Sequence, residues 1–220
     1  MLTTKASIGQ STGPSIENIA AQIGVDSIEI LEKDMGDLTG DGSEEYVAAL
    51  QTLKMTDGGR ERLVVIYQQR QGQWILWKFS SSPILGSEEG GVLGDPFGDI
   101  SIQDQRLQIS HYGGSNWRWS MEDFYRHHGA DLILSEHHSY WGSFCDEKVD
   151  WEINLAEGLA HCAYGQEECP EGFGDNRHID SIPKTETFQI SKELKITLEQ
   201  RNDTIVHFVS PIYGFETSLQ

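Results

Sequence analysis

From Val25 onward the chain is a succession of short segments in which apolar and polar residues alternate, with almost no helical run between them. Leu107, Ile109 and His111 alternate with polar neighbours, as do Trp117, Trp119 and Met121. A period of two marks a strand with one buried face and one wetter face. Residues 28–31, 46–53, 62–68 and 73–79 read as four strands that turn at Asp57-Gly58-Gly59 and Gln71-Gly72. Parallel strands need long, usually helical crossovers, and the spacing leaves no room for them. The expected fold class is therefore mainly β, an antiparallel meander forming a sandwich or a partial propeller-like stack.

One short N-terminal helix precedes the strands. In the stretch 14–24, Ser15 suits the N-cap, Ile16, Ile19, Ala20 and Ile23 form one apolar stripe, and Gly24 suits the stop. This helix is expected to lid one end of a sheet. Residues 1–13 read as a flexible tether and 14–220 as a single β-rich domain. Further strands are expected at 100–102, 107–112, 116–125, 131–136, 151–155 and 159–164, and 169–183 as loop. A last hairpin is expected from 187–199 and 204–209 across Arg201-Asn202-Asp203. The Gly- and Pro-rich stretch 80–98 reads as a crossing with a specific backbone path, with Val92, Leu93 and Phe97 expected to be buried; a domain linker is the alternative.

Asp37-Leu38-Thr39-Gly40-Asp41-Gly42-Ser43-Glu44-Glu45 reads as a coordination loop. Asp37, Thr39 and Asp41 offer oxygens at positions 1, 3 and 5, Ser43 a backbone carbonyl at position 7, and Glu45 a carboxylate at position 9. That spacing suits a hard cation, and calcium tolerates its irregular geometry better than magnesium. An acidic turn facing solvent is the alternative. Ala48 stands where an EF-hand places its last glutamate, and both flanks favour strand rather than helix. Strand, acidic loop and strand together resemble the calcium loops of the FG-GAP and VCBS repeat families, with Thr39 and Glu45 as departures. The resemblance implies a loop that ties two strands together.

Two further motifs, Gly90-Gly91-Val92-Leu93-Gly94-Asp95-Pro96-Phe97 and His111-Tyr112-Gly113-Gly114-Ser115-Asn116-Trp117-Arg118-Trp119, are the most distinctive in the chain. With the acidic loop they resemble a group of uncharacterised bacterial exported or lipoprotein-type β-proteins over residues 34–135. The resemblance implies fold and location and lends no activity. Trp117 and Trp119 fall on one strand face and Arg118 on the other. Aromatics so placed beside an Arg form a sugar-stacking platform or a protein hot spot; the alternative is sandwich core, with the Arg pairing a carboxylate. Trp117, Arg118 and Trp119 are therefore the candidate ligand-binding residues.

Composition limits the partners. With 35 acids against 16 bases the formal net charge is −19, which repels phosphate backbones and anionic lipid and excludes nucleic acid. A basic protein partner, a carbohydrate or a peptide suits this surface better. No apolar run reaches the length of a transmembrane segment. No signal peptide is visible in Met1-Leu2-Thr3-Thr4-Lys5; a signal already removed from a periplasmic or cell-envelope protein is expected, although a cytoplasmic chain would begin the same way. Cys145, Cys162 and Cys169 allow one disulfide. The polar loop between Cys162 and Cys169 favours that pair, and Cys145 with either is the alternative. Without a close Cys-x-x-Cys spacing zinc is not expected.

His127-His128 and His137-His138 flank a turn at Gly129-Ala130, so one His of each pair meeting Asp131 or Glu136 would make a transition-metal site; solvated histidines are the alternative. The sequence holds no Gly-x-Ser-x-Gly elbow, no His-Glu-x-x-His and no phosphate-cradling loop. Cys145 has no activating cation beside it. The reading is a non-enzymatic, calcium-binding exported β-domain that acts as a binding or interaction module. One alternative is an immunity or inhibitor protein whose acidic surface covers the basic cleft of a secreted toxin or hydrolase. Another is a hydrolase of envelope polymers.

Overall fold

A computed structural model describes residues 13–166 and 182–219. The expected tether, apart from Gly13, and most of the expected loop from 169 to 183 lie outside the described residues. The helix α1 spans Ile16–Ile23, with Ser15 Oγ accepting from the Asn18 amide at 3.3 Å and Gly24 closing it in the left-handed region at φ 74°. Strands β1 (Ile28–Gly36), β2 (Glu45–Thr56), β3 (Gly59–Arg70) and β4 (Gln73–Ser80) form the expected four-stranded antiparallel meander. Its two central strands are buried on both faces. Tyr46, Ala48, Leu50, Val65 and Tyr67 face Ile19 of the helix, while Val47, Ala49, Val64 and Ile66 face the second sheet. That double cover explains the unbroken apolar run from Tyr46 to Leu50, since a strand buried on both sides has no wet face to alternate with.

The second sheet is a seven-stranded antiparallel layer in the order β11-β10-β9-β8-β7-β6-β5. Its strands are β5 (Phe97–Gln103), β6 (Arg106–Gly114), β7 (Trp117–His128), β8 (Asp131–Ser143), β9 (Glu147–Asn154), β10 (Leu159–Gln166) and β11 (Lys184–Gln189). The edge strands of the two sheets meet, with the Ile102 amide donating to Asp34 Oδ2 at 2.8 Å. Ile100, Ile102, Leu107, Ile109, Tyr125, Leu132 and Leu134 pack against the inner face of the meander in one continuous core. The architecture is sandwich-like, without a closed barrel. Each large aliphatic side chain buried there contributes about 2 kcal/mol.

The C-terminal segment departs from the expected hairpin. Leu198–Gln200 is a short 3-10 turn, and the hairpin that forms pairs β12 (Val206–Val209) with β13 (Glu216–Leu219). Arg201 is not a solvent-facing turn residue, because its side chain is buried against Asp123. The crossing from 81 to 96 likewise buries a different residue. Ile84 is in the core, while Val92 and Leu93 are exposed and Phe97 is half-buried. The crossing is anchored instead by Asp95, which grips the fully buried Arg62 through both guanidinium nitrogens, at 2.7 Å on Nη1 and by a second contact on Nη2. Arg62 Nη2 also reaches Gln51 Oε1 at 3.2 Å, and Asp95 Oδ1 accepts the Phe97 amide at 2.9 Å. The Gly-Asp-Pro-Phe turn is thus a clamp between the two sheets.

The cysteines settle differently from the favoured pairing. Cys162 is free and buried on the inner face of β10, whereas Cys145 is disulfide-bonded. The inward register of β10 removes Cys162 from the polar loop that follows it.

Removing Asp95 leaves the Arg62 charge buried and unpaired. Asp95→Ala is expected to cost about 1–2 kcal/mol, less than for a fully buried pair because Asp95 is half exposed, and Arg62→Met with Asp95→Ala to cost less than the single change. Urea unfolding of the three proteins decides it; a double variant weaker than Asp95→Ala would mean the pair acts through packing rather than charge.

Candidate functional site

The two glycine motifs meet. Gly114 N donates to Gly90 O at 2.8 Å, and Leu93 N donates to Gly114 O at 3.2 Å, so the crossing lies directly on the end of β6. A Cβ on Gly113 would sit 2.4 Å from a ring carbon of Trp119 and 2.9 Å from Gly90 Cα. Only glycine admits that approach, and its effect is to seat the Trp119 indole over the β6 backbone.

Trp119 pairs with Trp141 across the β7–β8 ladder, and Trp117 stacks on Trp141 with centroids 4.1 Å apart and planes 12° apart. Trp117, Trp119, Met121 and Asp123 follow one strand parity, as do Trp141, Ser139 and His137 on β8. This is the inward face of the seven-stranded sheet, continued beyond the part that the meander covers. Trp119, Met121 and Trp141, with Val149 and Trp151 of β9, line a cavity of about 840 Å³. Leu85 and Glu89 of the crossing border it on one side, and Phe215 with Glu216 and Thr217 of β13 on the other. Arg118 points away from the cavity, with its guanidinium carbon 4.0 Å from the centroid of the Phe144 ring.

His137 also lines this cavity, and only 1% of its surface is exposed. Its Nδ1 lies 2.7 Å from Asp123 Oδ1. Arg201 holds the same carboxylate, Nε donating to Oδ2 at 2.6 Å and Nη2 to Oδ1 at 3.3 Å. Burial opposes the charge on Asp123, but the Arg201 guanidinium and the His137 hydrogen bond prevail and hold its carboxyl well below the usual range. An ionised Asp123 can only accept, so His137 Nδ1 carries a proton and donates to it. His137 Nε2 has no hydrogen-bond partner among the described residues, and neither has the buried indole Nε1 of Trp151. A buried polar atom left unpaired costs about 1–3 kcal/mol, and both of these are closed off beneath the cavity wall.

His111 lies on the adjacent inward position of β6 and accepts the Leu85 amide on Nε2 at 3.2 Å. Burial pushes it down to about 4, partly offset by Asp123. It is therefore neutral and structural, tying the crossing to the sheet.

The acidic loop closes on itself. Asp37 Oδ1 accepts the amides of Gly40 and Asp41 at 2.7 and 3.1 Å, and Oδ2 accepts Gly42 at 3.0 Å. Asp41 Oδ1 accepts Ser43 N at 2.8 Å, while the buried Glu45 accepts Leu38 and Thr39 amides at 2.9 and 3.1 Å. Thr39, Asp41, Ser43 and Glu45 line one cavity of about 540 Å³, but Asp37 does not. Among the described residues no three His, Cys, Asp or Glu side chains gather closely enough to hold a metal ion. The fit to a cation is partial, with four of the five expected ligands sharing a cavity and the carboxylates turned toward amides.

The histidine pairs do not meet across their turn. His127 faces Leu132 and His128 faces Asp131, whereas His137 sits beside Asp123. His127 Nε2 contacts Gly129 O at 2.7 Å, and His138 lies 4.0 Å from both Glu122 and Glu136 on the outer face. The turn takes up only Gly129 and Ala130, so residues 131–136 carry His137 along β8 away from His127 and His128.

Sequence reasoning missed Asp123, His137 and Arg201 as a unit, and Trp141 and Trp151 with them. Asp123 carries a signal, as an acid two residues beyond Met121 on the apolar parity of β7. The chain matches no family model, no curated protein and no solved structure.

Keeping His111 neutral has a pH signature. The unfolded chain takes up a proton near pH 6.5 and the folded protein only near pH 4, so stability is complete above about pH 6.5 and is lost as pH falls toward 4. The loss reaches about 3 kcal/mol, and His111→Gln should remove it. Urea unfolding at pH 7 and pH 4.5 measures the difference; parallel losses in both proteins would assign it elsewhere.

Proposed function

We propose that this chain is a binding module, not an enzyme, whose cleft between the seven-stranded sheet and the C-terminal hairpin takes a neutral amphipathic ligand. The observation that carries this reading is the aromatic surface of Trp119 and Trp141 facing a cavity of about 840 Å³ instead of a packed core. Aromatic rings with nearby polar groups bind ligands that have both apolar faces and hydrogen-bonding edges. Glu89 and Glu216 border the cavity, and the chain carries a formal charge of −19, so anionic ligands are disfavoured. No hydroxyl or thiol of the described residues is hydrogen-bonded to His137 Nε2, which favours binding over hydrolysis.

An exported location is part of the same reading. The disulfide at Cys145 supports it, because such bonds persist in oxidising compartments. None of the helices among the described residues is long and apolar enough to cross a membrane.

Trp119 and Trp141 supply a direct test. Neutral oligosaccharides, a nonionic detergent and short uncharged peptides are titrated while tryptophan emission is followed. One class is expected to quench it saturably, and Trp119→Ala or Trp141→Ala to weaken that binding roughly tenfold, about 1.4 kcal/mol. Quenching unaltered in both variants would place the ligand elsewhere and sink the cleft reading.

Calcium belongs to this proposal as an accessory of the fold, outside the cleft. Its support is the spacing of Asp37, Thr39, Asp41, Ser43 and Glu45. Excess calcium over chelator is expected to raise the melting temperature, by the equivalent of about 2.7 kcal/mol when free ion is a hundredfold above its dissociation constant. Asp41→Ala should abolish that rise. Equal melting in calcium and chelator would mean the loop amides alone satisfy these carboxylates.

A further inference from the structure

Glu89 and Glu216 stand on opposite banks of the cleft, one on the crossing and one on β13, and both residues are exposed. Neither forms an ion pair among the described residues, and Glu89 Oε2 accepts only the Gly86 amide. No lysine or arginine lines the cavity to offset them. Trp141 has 45% of its surface exposed, so the aromatic wall is open to a partner from outside. The bank formed by β13 is a strand edge. Its register with β12 puts Thr217 and Leu219 on the face shared with Phe208 and Val206, which pack into the core, and Glu216 and Ser218 on the other. Glu216, Thr217 and Ser218 all border the cavity, whereas no residue of β12, the only strand paired with β13, does so. Residues from both faces of β13, with none from its partner, place the cavity along the unpaired edge. Such an edge offers a row of main-chain donors and acceptors that another extended backbone matches. We infer that the cleft docks an extended segment of a basic protein, paired along β13. One neutral apolar or aromatic side chain of that segment lies on Trp119 and Trp141, and flanking Lys or Arg side chains meet Glu89 and Glu216. This rests on the binding-module reading and names its partner; the group on the indoles is neutral and the positive charge stays at the rim.

Size and charge agree. A cavity of about 840 Å³ is within the range of small-ligand clefts, so it admits a side chain with a few residues of backbone and not a folded domain. The formal net charge of −19 draws a basic protein from a distance and repels an acidic one. Exposed ion pairs are individually weak. Glu89 and Glu216 therefore select the partner and speed its approach, while the indoles and the β13 edge hold it. Because the two carboxylates lie on opposite banks, they favour a segment with a base on each side of its anchor.

The test titrates the wild-type chain, by calorimetry, with three synthetic peptides that share a central tyrosine and differ only in their outer residues, which are lysine, serine or glutamate. At about 0.02 M salt the lysine peptide is expected to bind roughly tenfold tighter than the serine peptide, and the glutamate peptide more weakly than either. Raising salt to about 0.5 M should narrow that preference. Glu89→Gln combined with Glu216→Gln should cut it below about threefold and leave the serine peptide unchanged, since a glutamine oxygen still accepts the Gly86 amide. Trp119→Ala should weaken all three peptides alike. A lysine peptide N-methylated along its backbone should lose tenfold or more, because it cannot pair with the edge. If Trp119→Ala fails to fold by near-ultraviolet circular dichroism, the glutamine variant and the N-methylated peptide still decide. Lysine and serine peptides that bind wild type within twofold of each other would overturn the basic partner. Full affinity after N-methylation would overturn the strand pairing. Binding of a neutral oligosaccharide or a nonionic detergent, but of no peptide, overturns the protein partner and leaves the binding-module reading intact. No binding by any probe overturns both.

Discussion

The Asp123 carboxylate, sunk in the inner face of the larger sheet, is the point on which the rest of this structure depends. A charge placed there costs several kcal/mol in lost hydration and is tolerable only when opposite charge and hydrogen bonds surround it. Arg201 provides the charge from a segment almost eighty residues further along the chain, and His137 provides a hydrogen bond from the neighbouring strand. The consequence is topological. Arg201 cannot leave the interior without stranding Asp123, so the segment after β11 is pulled across the sheet, and the β12–β13 hairpin follows it. The same pull places Asn202 against the crossing, where its amide donates to Ser82 Oγ at 2.7 Å. One carboxylate thereby joins the second sheet, the C-terminal cover and the crossing. A hydrophobic replacement of similar volume could hold the sheet as firmly, but it would leave His137 Nδ1 without its acceptor.

Much of this fold is legible in the sequence, and the parts that are not share a cause. The period of two located strands from β1 to β10, and Ser15 and Gly24 bracketed the helix, because these signals are local. The clamp of Arg62 on Asp95 is non-local, so Val92 and Leu93 were expected inside when Ile84 is the buried residue of the crossing. Arg201-Asn202-Asp203 has good turn chemistry and does sit at a turn, yet its arginine answers to Asp123 instead of to solvent. For the candidate site, Trp119 was visible as half of an inward aromatic pair. Trp141 and Trp151 were not, since their partnership arises from the register of β7, β8 and β9. The acidic loop was legible as a tie between strands, and its hydrogen bonds show how the tie is made. Asp37 and Glu45 accept the amides that the sharp path of 38–42 leaves unpaired.

The cleft follows from an inequality between the sheets. Four strands cannot cover seven, so the inner face of the larger layer extends past the meander along β7, β8 and β9. Uncovered sheet would ordinarily be made polar on that face. Here the inward parity stays aromatic through Trp117, Trp119 and Trp141, and the cover is a crossing and a two-stranded hairpin that leave about 840 Å³ between them. The glycines are spent on this region too, since Gly113 gives up a side chain so that Trp119 can lie flat beside the crossing. A sequence selected only for stability would fill such a space, because a closed core recovers about 25 cal/mol for each Å² of apolar surface removed from water. Indoles bordering an open cavity are already ordered by folding, which under the binding reading proposed above lowers the cost of ordering the site when a ligand enters.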